Sequence, residues 1–173
     1  MRIMKGRPEQ HEAAPYFFKY INQISSDDIL NVLETQMGET LSFLQTISEE
    51  KSLHRYAPEK WSIRQLWSHV NDTERLFVFR ALWFARGFDS PLPSFDQEIA
   101  VKYARADDSA WAAHVEEFRG VRAATLGFFR HLPEEAWLRT GIASDNHFTV
   151  RAFAYLVAGH VAHHSATLRE RYF

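Results

Sequence analysis

Apolar residues recur at intervals of three and four along most of this chain, and that periodicity commits it to amphipathic helices. A first helix is predicted over about Ser26 to Glu50. Ser26 serves as N-cap, Asp27 and Asp28 occupy the first turn, and Ile29, Leu33, Met37, Leu41, Leu44 and Ile47 form the apolar stripe. A second opens at Trp61, where Ser62 and Gln65 fit a capping box, and runs to about Arg86 with Gly87 as its stop. A third covers about Asp108 to His131, ahead of Pro133, with Val115, Phe118, Val121, Ala124 or Thr125, and Phe128 or Phe129 facing inward. The fourth starts after Thr149 as N-cap and reaches about Arg169, with Phe153, Leu156, Val157, His160, His164 and Leu168 on one stripe. Strand alternation is not evident anywhere, so the class is all-α.

Helices of ~20–25 residues extend ~30–37 Å, the proportions of a four-helix bundle. The segment Phe88–Asp107, with Pro91 and Pro93 near its start, is long enough to cross the bundle and make helices two and three parallel. Between helices three and four, Leu132–Phe148 is read as a loop holding one short helical turn at Pro133–Trp137. At 173 residues the chain reads as a single domain over 1–173. Its extension, 1–25, carries the aromatic run Pro15–Ile21, which must pack on the bundle or on a second subunit.

Twenty Lys and Arg against 22 Asp and Glu leave a net charge of −2, without the basic clusters that a nucleic-acid surface requires. The start, MRIMKGRPEQHEAAPYFFKY, lacks the apolar core of a signal peptide. The most apolar run, Leu76–Phe88, is broken by Arg80 and Arg86 and is too short to span a bilayer. A soluble, cytoplasmic protein is expected, with no nucleic-acid and no membrane partner. There is no cysteine, which removes disulfides, thiolate metal sites and a cysteine nucleophile. Metal chemistry, if present, falls to carboxylates and the nine histidines.

His160 and His164, one helical turn apart on an inward stripe, have the spacing that lets two imidazoles reach one metal ion. Two hydrogen-bonded core histidines would show the same spacing. His163 lies at the edge of that face. The zinc-peptidase pattern needs Glu directly after the first histidine, and Val161 stands there instead, which disfavours a peptidase. His69 is a polar residue inside the apolar run of helix two. With His160 and His164 it would complete a three-histidine site that leaves a coordination position open. Asp72 is either an outer acceptor for a ligand or a solvated carboxylate. His131 suits the negative end of helix three. His11, His54 and His114 read as surface or loop residues, and His147 sits in a loop that could reach the site. The five tryptophans read as packing residues, and Asp96 and Gln97 as turn or pocket residues.

Four segments in order give the chain a family resemblance. They are Arg55–Ile63 (RYAPEKWSI), His69–Arg75 (HVNDTER), Pro91–Gln97 (PLPSFDQ), and Ala158–His160 followed by Leu168–Tyr172. Together, over about Tyr16 to Phe173, they resemble the DinB-like superfamily of metal-binding four-helix bundles. The resemblance implies an up-down-down-up bundle, a homodimer, and a divalent metal, zinc or nickel, on His69, His160 and His164. Some relatives carry Glu where this chain has Val161, so a mechanism using that carboxylate as base is not available here.

Characterised relatives include transferases and isomerases that use low-molecular-weight thiols such as bacillithiol, mycothiol or glutathione. The resemblance therefore implies a metal-dependent transferase acting with a small thiol on a small-molecule substrate. Because the chain has no cysteine, any reacting sulfur must come from the cosubstrate. Two alternatives stand beside this reading: a metal-dependent amide or ester hydrolase, and a non-catalytic stress or binding module steadied by its metal.

Overall fold

The helix-start chemistry read from the sequence is formed in space. A computed structural model describes residues 6–173; the basic start Met1–Lys5, considered above for a signal segment, lies outside the described residues. Ser62 accepts from the Gln65 backbone N–H while the Gln65 side chain accepts from that of Ser62, opening α3 (Ile63–Ala85). Thr149 accepts from the Ala152 N–H and opens α6 (Val150–Arg171). Gly87, at φ +82°, provides the left-handed residue just past α3.

The remaining α-helices and strands are α1 (Phe18–Ile21), α2 (Ile29–Leu44), α4 (Gln97–Ala104), α5 (Trp111–Arg130), β1 (Thr140–Ala143) and β2 (Asn146–Thr149), with short 3-10 turns in the connections. The bundle consists of α2, α3, α5 and α6, with α3 and α2 each packed against both α5 and α6. Residue pairing gives the directions. Arg64 meets Ser109 while Glu74 meets Arg122, so α3 and α5 run parallel. Trp61 meets Tyr172 while Phe77 meets Phe153, so α3 and α6 run antiparallel. Gln36 meets Ala158 and Phe43 meets Arg169, so α2 and α6 run parallel. The order is up-down-down-up, with the crossover 86–110 carrying the chain back between α3 and α5. Among the described residues no helix is long and apolar enough to cross a membrane.

Several boundaries differ from expectation. Asp28, not Ser26, caps α2, and Ser26 instead accepts from the Asp28 N–H in the preceding turn. That helix ends at Leu44 although Ile47 is buried. Thr46 donates to the Phe43 carbonyl and Ser48 accepts from the Lys51 N–H, local bonds that compete with the helical ladder. The crossover holds the short helix α4, capped by Asp96, which accepts from Glu98 and Ile99. The segment before α6 keeps the expected short helical turn, at Glu134–Leu138, but then forms a two-stranded hairpin, with Ser144 and Asp145 at φ 50° and 60° in its two-residue turn. On α5, Val121 is only half-buried, whereas Arg122 is fully buried.

Two apolar clusters fill the bundle. One contains Ile21, Leu33, Phe84, Phe148 and Phe153, and the other Leu44, Ile63, Trp67, Phe118 and Leu168. On α6, Ala158 belongs to the first and Val161 to the second, so His160 stands between them. The aromatic N-terminal run packs in cis: Phe18 and Ile21 are buried, and α1 lies against α6. The approach is so close that a Cβ on Gly159 would overlap the Tyr20 carbonyl. Alanine at Gly159 would gain ~1 kcal/mol of helix propensity. It must also displace the backbone of α1, an overpacking cost of ~1–3 kcal/mol or more, so we expect net destabilisation. Chemical denaturation of Gly159→Ala beside the wild type measures it, and a stabilised variant would contradict the close packing.

Candidate metal centre

His69 lies in the first third of α3, and His160 and His164 lie one turn apart on α6, the antiparallel neighbour. Each projects its imidazole into the interface between the two helices. The Nε2 atoms of His69 and His160 are 3.2 Å apart, and those of His164 and His160 are 3.0 Å apart. Three nitrogens on a tetrahedral ion at ~2.0–2.1 Å stand ~3.3 Å from one another, close to this spacing. The three residues form a group whose ligand atoms all lie within 4.8 Å, and no carboxylate belongs to it. Their donor type and convergence fit a divalent ion.

The opposite ring nitrogens have modest support. Thr73 Oγ1 lies 3.4 Å from His69 Nδ1, on the same face one turn further along α3. His164 Nδ1 is buried without a partner among the described residues. Aromatic rings close the surroundings: Trp61 sits 5.1 Å from the His69 ring, and Tyr20 sits 5.5 Å from that of His160.

Burial pushes the His69 pKa down to about 4. Burial, followed by the neighbouring His69, pushes His164 down to about 3. His160 is held well below its ordinary value by burial and then by His164 and His69. All three are therefore neutral at pH 7, the form in which imidazole binds metal. The same depression makes stability depend on pH. A histidine that binds its proton more weakly folded than unfolded stabilises fully above the unfolded value, ~6.5, and that contribution is lost as pH falls through the folded values. The thermal midpoint of metal-free protein should therefore hold level above pH 7 and fall between pH ~6.5 and about 3. His164→Asn should flatten that fall. An identical pH profile in the variant would show that other groups control it.

Two cavities adjoin the cluster. One of about 210 Å³ is lined by Tyr20, His69, Thr73, Phe77, Arg80 and His160, among others. Another of about 280 Å³ is lined by residues including Tyr56, Trp61, Glu98, His163, His164 and Tyr172. Gln97 borders the first and Glu98 the second, so the start of α4 stands over both.

The other predicted residues fall as follows. Asp72 pairs with Arg75 at 3.4 Å and does not support a histidine; Thr73 holds that place. His163 is outside the three-nitrogen group, with its ring 5.3 Å from that of Tyr20. His147 is exposed on β2, paired across the hairpin with Ile142, and it is the turn residue Ser144 that reaches the first cavity. His114, expected at the surface, is buried with Nε2 2.9 Å from the Ala106 carbonyl. His11 and His54 are exposed, and His131 Nδ1 meets the Gly127 carbonyl near the end of α5. Asp96 is a helix cap, while Gln97 does line a pocket. Trp61 is a cavity residue as well as a packing one. Sequence reasoning passed over Thr73, Tyr20 and Arg80 at the site, although Arg80 had signalled itself as a charge inside an apolar run.

Comparison with known proteins agrees with the fold. Over 96% of this chain and 91% of the other, the structure matches YfiT from Bacillus subtilis with a TM-score of 0.71 at 16% sequence identity. That protein is described as a probable metal-dependent hydrolase with an unusual four-helix bundle topology. No curated protein matches the chain. The sequence profile of the DinB superfamily matches residues 33–168, from within α2 to near the end of α6. The chain belongs to the DinB superfamily.

Proposed function

We propose that His69, His160 and His164 hold one divalent ion, zinc or nickel, and that the chain is a metal-dependent transferase using a low-molecular-weight thiol. The observation that carries this reading is the convergence of three neutral imidazole Nε2 atoms beside two cavities. A divalent ion held there lowers the pKa of a thiol or a water brought to it.

The surroundings favour a thiol over a water. Hydrolysis calls for a general base within hydrogen-bond reach, whereas a thiol ionises at neutral pH once its pKa is lowered. The cluster itself contains no carboxylate; Thr73, Trp61, Tyr20 and Phe77 stand against its rings, and the carboxylates that line the second cavity, Glu59 and Glu98, belong to exposed residues. Of these, burial raises the Tyr20 pKa, so its hydroxyl remains a neutral donor. The Trp61 ring lies 5.1 Å from that of His69 and the Phe77 ring 6.0 Å from that of His160, and Thr73 orients the His69 ring.

Turnover of a small electrophile by metal-loaded protein with glutathione, bacillithiol or mycothiol tests the reading. Thiol-dependent product that disappears in His160→Ala supports it. Hydrolysis of amide or ester substrates without thiol would replace it with the hydrolase reading, which the description of YfiT supports. No turnover together with a large loss of stability on metal removal would favour the structural module. We also propose a homodimer. A groove between α3 and α5, lined by Val78, Gly120, Val121 and Ala124 beside the Arg75–Glu117 ion pair, with Phe79 and Leu82 exposed on α3, supports it. Equilibrium sedimentation should return the mass of two chains, and a monomer would remove the proposal.

A further inference from the structure

Four arginines are buried among the described residues, Arg64, Arg80, Arg122 and Arg151. Three of them meet carboxylates: Arg64 pairs with Glu49, Arg122 with Glu74, and Arg151 with Glu12. Arg80, 4% exposed, has no acidic partner among the described residues. Both of its hydrogen bonds leave from Nη2, to the Pro93 carbonyl and the Ser144 hydroxyl, each 2.9 Å. Its Nε is buried without a partner among the described residues. A buried cation left without an anion is costly, and this one borders the cavity that His69 and His160 also border.

We propose that Arg80 is the receptor for an acidic group, a carboxylate or a phosphate monoester, on the small molecule that reacts at the histidine cluster. The inference rests on the reading of that cluster as a metal site and adds the substrate class to it. Arg80 and His69 lie on the same helix, ~16 Å apart along its axis. Helical side chains lean toward the N-terminus, so Arg80 reaches back toward the cluster. Thr73 and Phe77 line the cavity between them. The matching ligand is elongated, with its acid at one end and its reacting atom several bonds away. The crossover and the hairpin turn hold the guanidinium through Pro93 and Ser144, so its charge is positioned before any ligand arrives.

NMR titration of the full chain, following backbone amides and the Arg80 Nε–H, tests this with hexanoate, hexyl phosphate and 1-hexanol as probes. Metal-free wild type should bind at least one of the acidic probes about 10-fold or more tightly than hexanol, with the Arg80 signal moving on saturation. Arg80→Gln should abolish the preference and Arg80→Lys should keep part of it. Equal binding of acid and alcohol by the wild type, or a preference that survives Arg80→Gln, overturns the proposal. The wild-type comparison stands even if a variant fails to fold. Acid preference that persists in His160→Ala supports Arg80 even where the metal reading fails. Metal-loaded protein that turns over neutral and acidic thiols equally keeps the metal reading and removes Arg80 from it.

Discussion

Replacing Glu74 with alanine is expected to destabilise the protein by ~3–5 kcal/mol, the cost of leaving a buried charge without its partner. Glu74 and Arg122 are 2% and 0% exposed, and they form a two-pronged pair: Arg122 Nε donates to Oε1 at 2.8 Å and Nη2 to Oε2 at 2.9 Å. Thr125 Oγ1 donates to the same carboxylate at 2.8 Å. From its other nitrogen, Arg122 donates to the Leu33 carbonyl and the Gln36 side chain. The network therefore joins α2, α3 and α5, the two parallel helices and the one that packs against α5. At the size of this chain the loss corresponds to a fall of roughly 6–20 °C in thermal midpoint. The paired replacement Glu74→Met with Arg122→Leu should recover most of it, because no charge is then left stranded. Differential scanning calorimetry of the three proteins reads both effects. A loss under ~1 kcal/mol for Glu74→Ala would mean that water reaches Arg122 and that the pair is not closed.

Metal affinity should respond as sharply to His160. Alanine there removes the nitrogen that stands between the other two, 3.2 Å from His69 and 3.0 Å from His164. Loss of an outer-shell partner alone costs ~10–100-fold in metal affinity, so loss of a ligand should cost ~100-fold or more. His163→Ala is the matched control, since it lies on the same helix, next to His164, outside the converging group. Competition titration with a chromophoric chelator should separate the two variants. Equal affinities in both would place the ion elsewhere.

Much of the fold could be read locally. The caps at Ser62 and Thr149 are short-range chemistry, and α3 and α6 begin where those residues place them. The end of α2 was less legible because Ile47 continues the stripe after the backbone has left the helix. Residues of α4 are almost all exposed, with only Val101 buried, so no apolar face announced it. The hairpin strands are too short for alternation to register. His69 was visible as a polar interruption of an apolar face, and His160 and His164 by their spacing. Arg122 and Glu74 sit on different helices and neutralise one another only in three dimensions, so periodicity assigned the inward place to Val121. His114 was misread for a similar reason: its acceptor, Ala106, arrives from the crossover.

X-ray absorption at the metal edge of zinc-loaded, untagged protein reads the coordination shell itself. Three imidazole nitrogens at ~2.0–2.1 Å and a fourth, exchangeable light-atom ligand are expected. A shell with fewer than three imidazoles, or one unchanged in His160→Ala, would contradict the three-histidine site.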